Sequence, residues 1–167
     1  MNETFFSEEI ISGIKVIVIT SRKGIRKLFL NPGEKICELS ESTKLHNDDP
    51  YFYGVFNQLR EYFNGERKTF NVPLDLEGTD FQKKVWRELQ KIPFGKTISY
   101  KTLSEKLGDV KAIRAVGKAN GQNPVAVIVP CHRVIGADGS LTGYACGLDI
   151  KEKLLQLEGV LDPNLFD

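Results

Sequence analysis

The stretch "VAVIVPCHRVIG", residues 125–136, ends a run of aliphatic side chains on Pro130, Cys131, His132 and Arg133. A short aliphatic run bounded by a proline is typical of a buried strand, because proline cannot donate a hydrogen bond to a neighbouring strand. The pattern therefore predicts a short strand that holds a thiol at its end, next to an imidazole and a guanidinium group. Such groups at the end of a rigid element indicate chemistry.

A cysteine beside a histidine leaves two interpretations open. A free thiol has an ordinary pKa of about 8.5, and an adjacent base or positive charge raises its thiolate fraction at neutral pH. Neighbouring residues on an extended strand point to opposite faces, so His132 can reach the Cys131 thiol only at a turn or through a water molecule. The motif fits either a reactive thiol or a buried cysteine with an incidental histidine.

Length and composition are those of an ordinary globular protein. The 167 residues suffice for one domain or two small ones, and 41% of them are hydrophobic and 27% charged. No apolar run approaches the roughly 20 residues that span a bilayer. The first residues, "MNETFFSEEIISG", lack the basic start and long apolar core of a secretory signal. We therefore expect a cytoplasmic protein without membrane contacts.

Cysteine usage argues against a disulfide framework and against a metal site. The three cysteines, Cys37, Cys131 and Cys146, form no CxxC pair, so thiols are expected. With two histidines in the chain, a zinc site needs Cys37 with His46 or Cys131 with His132, plus ligands that the sequence does not supply. We expect neither a metal nor a cofactor.

The first half of the sequence predicts a small α/β domain. "GIKVIVIT" and "GIRKLFLN" are aliphatic, β-branched runs separated by polar residues, which is typical of an antiparallel β-hairpin. A helix is predicted to begin at Asp49-Pro50 and to end at Asn64-Gly65, with its aromatic side chains in the core. The extended "NVPLDLEGT" is typical of a linker, and it ends the first domain, residues 1–78.

The second half, residues 79–167, predicts a mainly helical domain. Thr79 or Asp80 can cap a first helix, and Ser99 can cap a short second helix that ends in a left-handed turn at Gly108. A third helix follows with basic side chains on one face: Lys111, Arg114 and Lys118. Two short helices joined by a glycine-containing turn predict a helix-turn-helix. The fold class expected for the whole chain is α+β.

The charge of the chain is unevenly distributed. Residues 79–160 hold 13 Lys and Arg against 8 Asp and Glu, whereas residues 1–78 hold 10 against 12. A basic surface of this kind can face a polyanion such as DNA. A row of Lys and Arg is also common on an ordinary solvated helix, so the charge alone leaves DNA binding open.

The segment after the cysteine motif adds a glycine-rich loop and a carboxylate. "GADGSLTGYACGLDIKEKLLQLEG" has a tight turn at Asp138-Gly139 and a second glycine-rich loop over residues 143–147, and then a helix. Glu158 lies near the end of this helix, where the helix dipole disfavours a carboxylate. Either Glu158 faces solvent or it orients His132.

These segments resemble O6-alkylguanine-DNA alkyltransferases, also called methylated-DNA-protein-cysteine methyltransferases. "PCHRVI" resembles the active-site motif of that family. Three further segments resemble family segments in the same order and spacing: "PLDLEGT", "FQKKVWRELQKIPFGKTISYKTLSEKLG" and "AIRAVGKANGQNPVAVIVPCHRVIGADGSLTGYACGLDIKEKLLQLEG". The resemblance covers residues 73–159, and the first 72 residues match the variable amino-terminal domain of the family in general character only.

The resemblance implies a DNA-repair protein that acts once. Such a protein binds duplex DNA through the minor groove, rotates an O6-alkylated guanine out of the stack and transfers the alkyl group to Cys131. Its partner is duplex DNA that contains O6-alkylguanine. A monomer without an obligatory protein partner is expected.

The resemblance also implies roles for individual residues. Arg114 would occupy the space of the flipped base, Tyr100 would crowd the phosphate and offer a proton to guanine N3, and Asn123 would tie the helix-turn-helix to the active-site turn. His132 would act as a water-mediated base for Cys131 and Glu158 would hold His132. The catalytic set is Cys131, His132, Glu158, Asn123 and Tyr100, and the DNA-binding set is Arg114, Tyr100, Lys111, Lys118 and Lys101.

The alkyl pocket is expected to involve Val134, Tyr144, Ala145 and Cys146. Carbonyl groups of Cys131 and Val134 would accept from the exocyclic amine of guanine, and Tyr144 and the Ala145 amide would lie near O6. Some relatives have glycine where Cys146 stands, so we expect a narrower pocket here that handles methyl better than benzyl. The zinc ligands of some relatives have no counterpart in this sequence.

Three other functions compete with repair. A lesion-binding relative would lack the reactive cysteine, which is present here as Cys131. A thiol hydrolase would use Cys131 and His132 repeatedly, but adjacent placement gives poor geometry for a nucleophile and its base. A transcriptional regulator would use the helix-turn-helix with Cys131 as a sensor, and it would need sequence readout. Reaction stoichiometry separates the three functions from repair.

Overall fold

The computed structural model of the chain describes residues 3–33 and 36–162. The chain forms two compact units, Met1–Glu77 and Gly78–Asp167. The first is built on a four-stranded sheet, and the second consists mainly of helices. The expected α+β fold, with a small α/β N-terminal part and a mainly helical C-terminal part, is confirmed.

The sheet of the first unit contains the predicted hairpin. Strands β1 (Thr4–Ile11), β2 (Ile14–Ser21) and β3 (Gly24–Leu30) are antiparallel neighbours, and the short β4 (Thr43–Lys44) pairs with β1 in parallel, in the order β3-β2-β1-β4. The hairpin of β2 and β3 is confirmed. Strand β1 was not predicted from the sequence, because its polar "SEE" segment interrupts the apolar pattern.

The helix predicted to begin at Asp49-Pro50 begins later. Pro50–Phe52 forms a 3-10 turn, capped where the Asp49 carboxylate accepts from the Tyr51 N–H at 3.0 Å. Tyr53 and Gly54 then adopt left-handed backbone conformations, so the α-helix proper, α1, runs over Val55–Phe63. A further 3-10 turn lies at Cys37–Glu41. The aromatic side chains pack as expected, since Phe52, Phe56 and Tyr62 are buried.

The second unit contains four helices and a short two-stranded sheet among its described residues. They are α2 (Asp80–Leu89), α3 (Tyr100–Lys106), α4 (Ile113–Gly121), α5 (Leu148–Leu157), β5 (Ile98–Ser99) and β6 (Val134–Ile135). A 3-10 turn over Val110–Ala112 precedes α4. The predicted caps are present, because Thr79 caps α2, Ser99 caps α3, and Gly108 leaves α3 with a φ of +86°.

Helices α3 and α4 form the predicted helix-turn-helix. Val116 and Ala119 of α4 are buried, and the Trp86 indole of α2 donates to the Ala119 carbonyl at 2.9 Å. The parallel pair of β5 and β6 aligns Ile98 with Val134. Because α3 begins directly after β5, this pairing brings the start of the helix-turn-helix next to the residues that follow Cys131.

The prediction of a strand that ends at Cys131 is wrong. Residue 125 forms a β-bridge, residues 126–128 form a turn and residue 129 lies in a bend. The Ile128 N–H donates to the Ala126 carbonyl, and Val127 has a φ of +70°. Cys131 begins a 3-10 turn, Cys131–Arg133. The aliphatic side chains are buried, but burial does not require an extended backbone. The Asn123 side chain takes the place of a partner strand, since it donates to the Val129 carbonyl at 2.6 Å and accepts from the Val125 N–H at 3.0 Å.

Among residues 3–33 and 36–162, no helix combines the length and the apolar character needed to cross a membrane.

The capping box of α2 yields a stability prediction. The Thr79 hydroxyl accepts from the Gln82 N–H at 3.1 Å, and the Gln82 side chain accepts from the Thr79 N–H at 2.9 Å. Thr79→Ala should lower the free energy of unfolding by about 1 kcal/mol, because it leaves a helix N–H without its acceptor. Urea denaturation measures the change. Thr79→Ser keeps the hydroxyl and should stay close to the wild type, so equal losses in the two variants would contradict the cap.

Candidate active site

The Cys131 thiol lies in an apolar interior. The residue is 6% exposed, and the neighbouring Val129 and Val134 are completely buried. Burial raises the pKa of the Cys131 thiol to about 11, against opposing effects of Asn123 and Lys151. The thiol is therefore protonated at neutral pH, and thiolate formation needs a base and a compensating positive charge.

A buried carboxylate organises the side chains that follow the cysteine. Glu158, at the end of α5, accepts from the Arg133 Nε and Nη2 groups at 2.9 Å each, and its Oε1 lies 2.8 Å from His132 Nε2. Arg133 Nη1 also donates to the Ile92 carbonyl at 2.6 Å, and the Gly95 N–H donates to Glu158 Oε2 at 3.3 Å. Glu158 therefore does not face solvent, and it contacts His132 directly.

His132 is held as a neutral imidazole with one ring nitrogen available. Burial lowers the pKa of His132, Arg133 and Lys151 lower it further, and Glu158 opposes the shift. An ionised carboxylate only accepts hydrogen bonds, so Nε2 carries the proton and Nδ1 is the acceptor. Among the described residues, Nδ1 has no hydrogen-bond partner. His132 is therefore a base whose accepting nitrogen is not bonded to the thiol.

Asn123 and Tyr100 connect the helix-turn-helix to this site. Asn123 follows α4, and its side-chain amide donates to the Val129 carbonyl and accepts from the Val125 N–H, both in the segment before Cys131. Tyr100 is the first residue of α3, and its hydroxyl donates to the Thr142 carbonyl at 3.2 Å. A Cβ atom at Gly117 of α4 would lie 3.8 Å from the Tyr100 ring, so the ring packs on the face of α4.

The residues expected to line the pocket differ in burial. Val134 is buried, Tyr144 and Cys146 are half-buried, and Ala145 is exposed. The Gly147 N–H donates to the Tyr144 carbonyl at 2.9 Å, which closes a turn over these loop residues. Cys146 is close enough to Cys131 to affect its ionisation.

Lys151 is a buried residue of the site that was not predicted from the sequence. It is 0% exposed, and its Nζ donates to the carbonyls of Val134 at 2.7 Å and Thr142 at 3.1 Å. A signal was present, because Lys151 stands three and four residues before Leu154 and Leu155 and so shares the apolar face of α5. Burial lowers the pKa of Lys151, and Cys131 opposes the shift.

The basic residues expected to bind DNA lie exposed on the helix-turn-helix. Arg114 and Lys118 are exposed on α4, Lys111 is exposed just before it, and Lys101 is exposed on α3. Ile113 is 38% exposed on α4, beside Arg114. The surface of α4 thus combines basic and apolar groups. Among residues 3–33 and 36–162, no three His, Cys, Asp or Glu side chains come together to hold a metal ion.

Family models match both units of the chain. The model described as the ribonuclease-like domain of 6-O-methylguanine DNA methyltransferase matches residues 15–76, and the model described as its DNA binding domain matches residues 80–160.

Similar proteins carry the same description. The methylated-DNA--protein-cysteine methyltransferase of Methanosarcina acetivorans is 49% identical over 86% of this chain and 91% of its own length. The crystal structure of Mycobacterium tuberculosis O6-methylguanine methyltransferase is 40% identical, with a TM-score of 0.85 over 98% of this chain and 99% of that one. Mycobacterium tuberculosis OGT in complex with DNA is 41% identical, with a TM-score of 0.84 over 93% of each chain.

The lowered pKa of His132 predicts how stability depends on pH. The unfolded chain binds a proton at His132 below a pKa of about 6.5, whereas the folded protein binds it only at lower pH. The stabilisation from a neutral His132 is therefore complete above that value and is lost as the pH falls. Between pH 7.5 and pH 5.5, the free energy of unfolding should decrease less in His132→Gln than in the wild type. His46→Gln, at the exposed histidine, is the matched control. An equal decrease in all three proteins would contradict a buried neutral His132.

Proposed function

The chain belongs to the 6-O-methylguanine DNA methyltransferase family of DNA-repair methyltransferases, and on this premise we propose that Cys131 accepts the alkyl group of O6-alkylguanine in duplex DNA, once per molecule. One observation carries this proposal: a buried thiol is followed directly by a neutral histidine that is hydrogen-bonded to the buried Glu158. The same segment pairs with the strand from which the helix-turn-helix begins. A soft sulfur nucleophile suits in-line attack on an alkyl carbon.

The proposed reaction moves one proton from sulfur to the guanine. A bound water passes the thiol proton to Nδ1 of His132, whose Nε2–H is held by Glu158 at 2.8 Å. The thiolate forms a carbon–sulfur bond as the bond from the alkyl carbon to O6 breaks, and the electron pair of that bond moves into the guanine. The Tyr100 hydroxyl gives its proton to N3 of the leaving base, and the tyrosine regains a proton from the imidazolium through solvent.

Base flipping follows from the burial of the thiol. A guanine within a duplex cannot bring its O6 substituent to a sulfur that is 6% exposed, so the nucleotide has to leave the stack. Arg114 on the exposed face of α4 fills the vacated space from the minor groove. Lys101, Lys111 and Lys118 contact phosphates without sequence preference.

The pocket residues recognise the flipped base. The carbonyls of Cys131 and Val134 accept from the exocyclic amine of guanine, and Tyr144 and the amide of Ala145 lie near O6. Asn123 holds the turn that carries Cys131 and thereby couples the pocket to α4. The side chain of Cys146 narrows the pocket, which favours methyl over larger alkyl groups.

Single turnover is a consequence of the product. A thioether is chemically stable, so the alkyl group has no easy route off the sulfur once it has been transferred. The protein acts as a monomer in the cytoplasm, without an obligatory protein partner.

Methyl transfer is tested by mass spectrometry with a duplex that carries one O6-methylguanine. We expect one added methyl on the peptide that contains Cys131, with one lesion lost per protein molecule. Cys131→Ser should bind the duplex and gain no methyl. Repeated turnover would indicate a hydrolase instead, and absence of any adduct at excess protein would leave lesion binding or regulation.

The role of Arg114 is tested by comparing two substrates. Arg114→Ala should slow methyl transfer from the duplex by more than about tenfold, because flipping opposes a stacking energy of a few kcal/mol. Transfer from a single-stranded oligonucleotide should change little, since that base is not stacked in a duplex. Lys118→Ala, on the same helix, should weaken DNA binding and leave the rate at saturating DNA unchanged. An equal loss on both substrates in Arg114→Ala would overturn the proposed role.

A further inference from the structure

The interior of the second unit holds more positive than negative charge. Among its described residues, the buried charged side chains are the cations Arg133 and Lys151 and the anion Glu158, while His132 is held neutral. Glu158 binds Arg133 through two hydrogen bonds of 2.9 Å, so these two charges balance one another. The ammonium of Lys151 has no counter-charge among these buried side chains.

The groups that bind Lys151 are neutral. Its Nζ donates to the carbonyls of Val134 and Thr142, and within the described residues no carboxylate lies at ion-pair distance. A buried ammonium bound only by carbonyl dipoles is unfavourable relative to water. A negative charge nearby would stabilise it.

Ionisation of the Cys131 thiol would supply such a negative charge near Lys151. The Val134 N–H donates to the Cys131 carbonyl, so the residue that holds Nζ belongs to the same 3-10 turn as the thiol. The charge of Lys151 favours ionisation of Cys131, and an ionised Cys131 in turn favours a charged Lys151. Arg133 is committed to Glu158, and Cys146 acts in the opposite direction.

We propose that Lys151 is a positioning residue whose buried ammonium stabilises the thiolate of Cys131 and holds the carbonyls of Val134 and Thr142. The inference rests on the proposed alkyl transfer. Lys151 keeps its proton throughout, because the thiol proton goes to His132. The ammonium attracts the thiolate and not the neutral thiol, so it lowers the energy of the attacking sulfur relative to the resting thiol, while it also opposes protonation of His132.

The test uses two small alkylating reagents of similar size and no DNA. Iodoacetamide is neutral and iodoacetate is an anion, and peptide mapping quantifies each adduct at Cys131 relative to the exposed Cys37 of the same molecule. In Lys151→Met at about pH 8, carbamidomethylation of Cys131 should slow by about threefold or more, since a tenfold lower thiolate fraction is partly offset by higher nucleophilicity. The iodoacetate rate should fall several-fold further, because a nearby cation attracts the anion.

A matched variant controls for the change in net charge. Lys153→Met removes an exposed lysine from the same helix and should leave both rates at Cys131 unchanged. If Lys151→Met does not unfold cooperatively, Lys151→Gln replaces it, because an amide can still donate to a carbonyl without carrying charge. Equal slowing with both reagents would mean that Lys151 acts only on geometry, and this result would overturn the inference. Unchanged rates would overturn it as well.

The two hypotheses fail separately. Absence of methyl transfer from DNA to the wild-type protein would refute the proposed function. The ratio of the iodoacetate rate to the iodoacetamide rate at Cys131 reports only the charge near the thiol. A normal ratio in Lys151→Met, together with normal methyl transfer from DNA by the wild type, would refute the role of Lys151 alone.

Discussion

The carboxylate of Glu158 is the point on which the site depends. It bonds the two residues that follow Cys131 and also the main chain at Gly95, so it joins the end of α5 to the segment after α2. A buried carboxylate is stable only with such partners, and removing one partner of a buried ion pair typically costs about 3–5 kcal/mol. The same group that sets the tautomer of His132 therefore also fixes how α5 packs. The hydrogen bonds of Glu158 therefore serve both the proposed chemistry and the stability of the fold, so a change at Glu158 affects both.

Burial serves the proposed chemistry in two opposing ways. It excludes water, which strengthens every charge interaction in the site, and it also keeps the thiol of Cys131 protonated, with a pKa raised to about 11. A nucleophile that is used once per molecule benefits from this state, because a protonated, enclosed thiol reacts slowly with stray electrophiles. In the proposed mechanism, ionisation of the thiol then depends on His132 with Glu158 and on the charge of Lys151.

Local signals in the sequence predicted the local structure well. The threonine and serine caps, the glycine at the end of α3 and the β-branched runs predicted α2, α3 and the hairpin, because each of these signals depends on neighbours in the chain.

The turns before Cys131 were not predictable in this way. Their aliphatic residues match a strand, and the distinction lies in the amide of Asn123, whose bonds to Val129 and Val125 form only after the segment has folded back. Lys151 was missed for a similar reason, since the carbonyls that bind it come from two other segments. Helix position alone left the role of Glu158 open, because the dipole of its own helix disfavours a carboxylate there, whereas the family resemblance implied that it holds His132. The partners that outweigh the dipole lie 25 and 26 residues earlier in the chain.

The position of Glu158 along the chain also has a consequence for synthesis. Every other group of the site, from Tyr100 to Lys151, leaves the ribosome before it, and the helix that carries Glu158 is the last element that the structure describes. While residue 158 is still inside the ribosome, Arg133 lacks its counter-charge and His132 has no group to fix its tautomer. In the proposed mechanism, a nascent chain that lacks Glu158 therefore lacks the group that holds His132, and the proton relay from Cys131 is incomplete. The order of the residues therefore makes the last described helix to leave the ribosome the element that completes the proposed site.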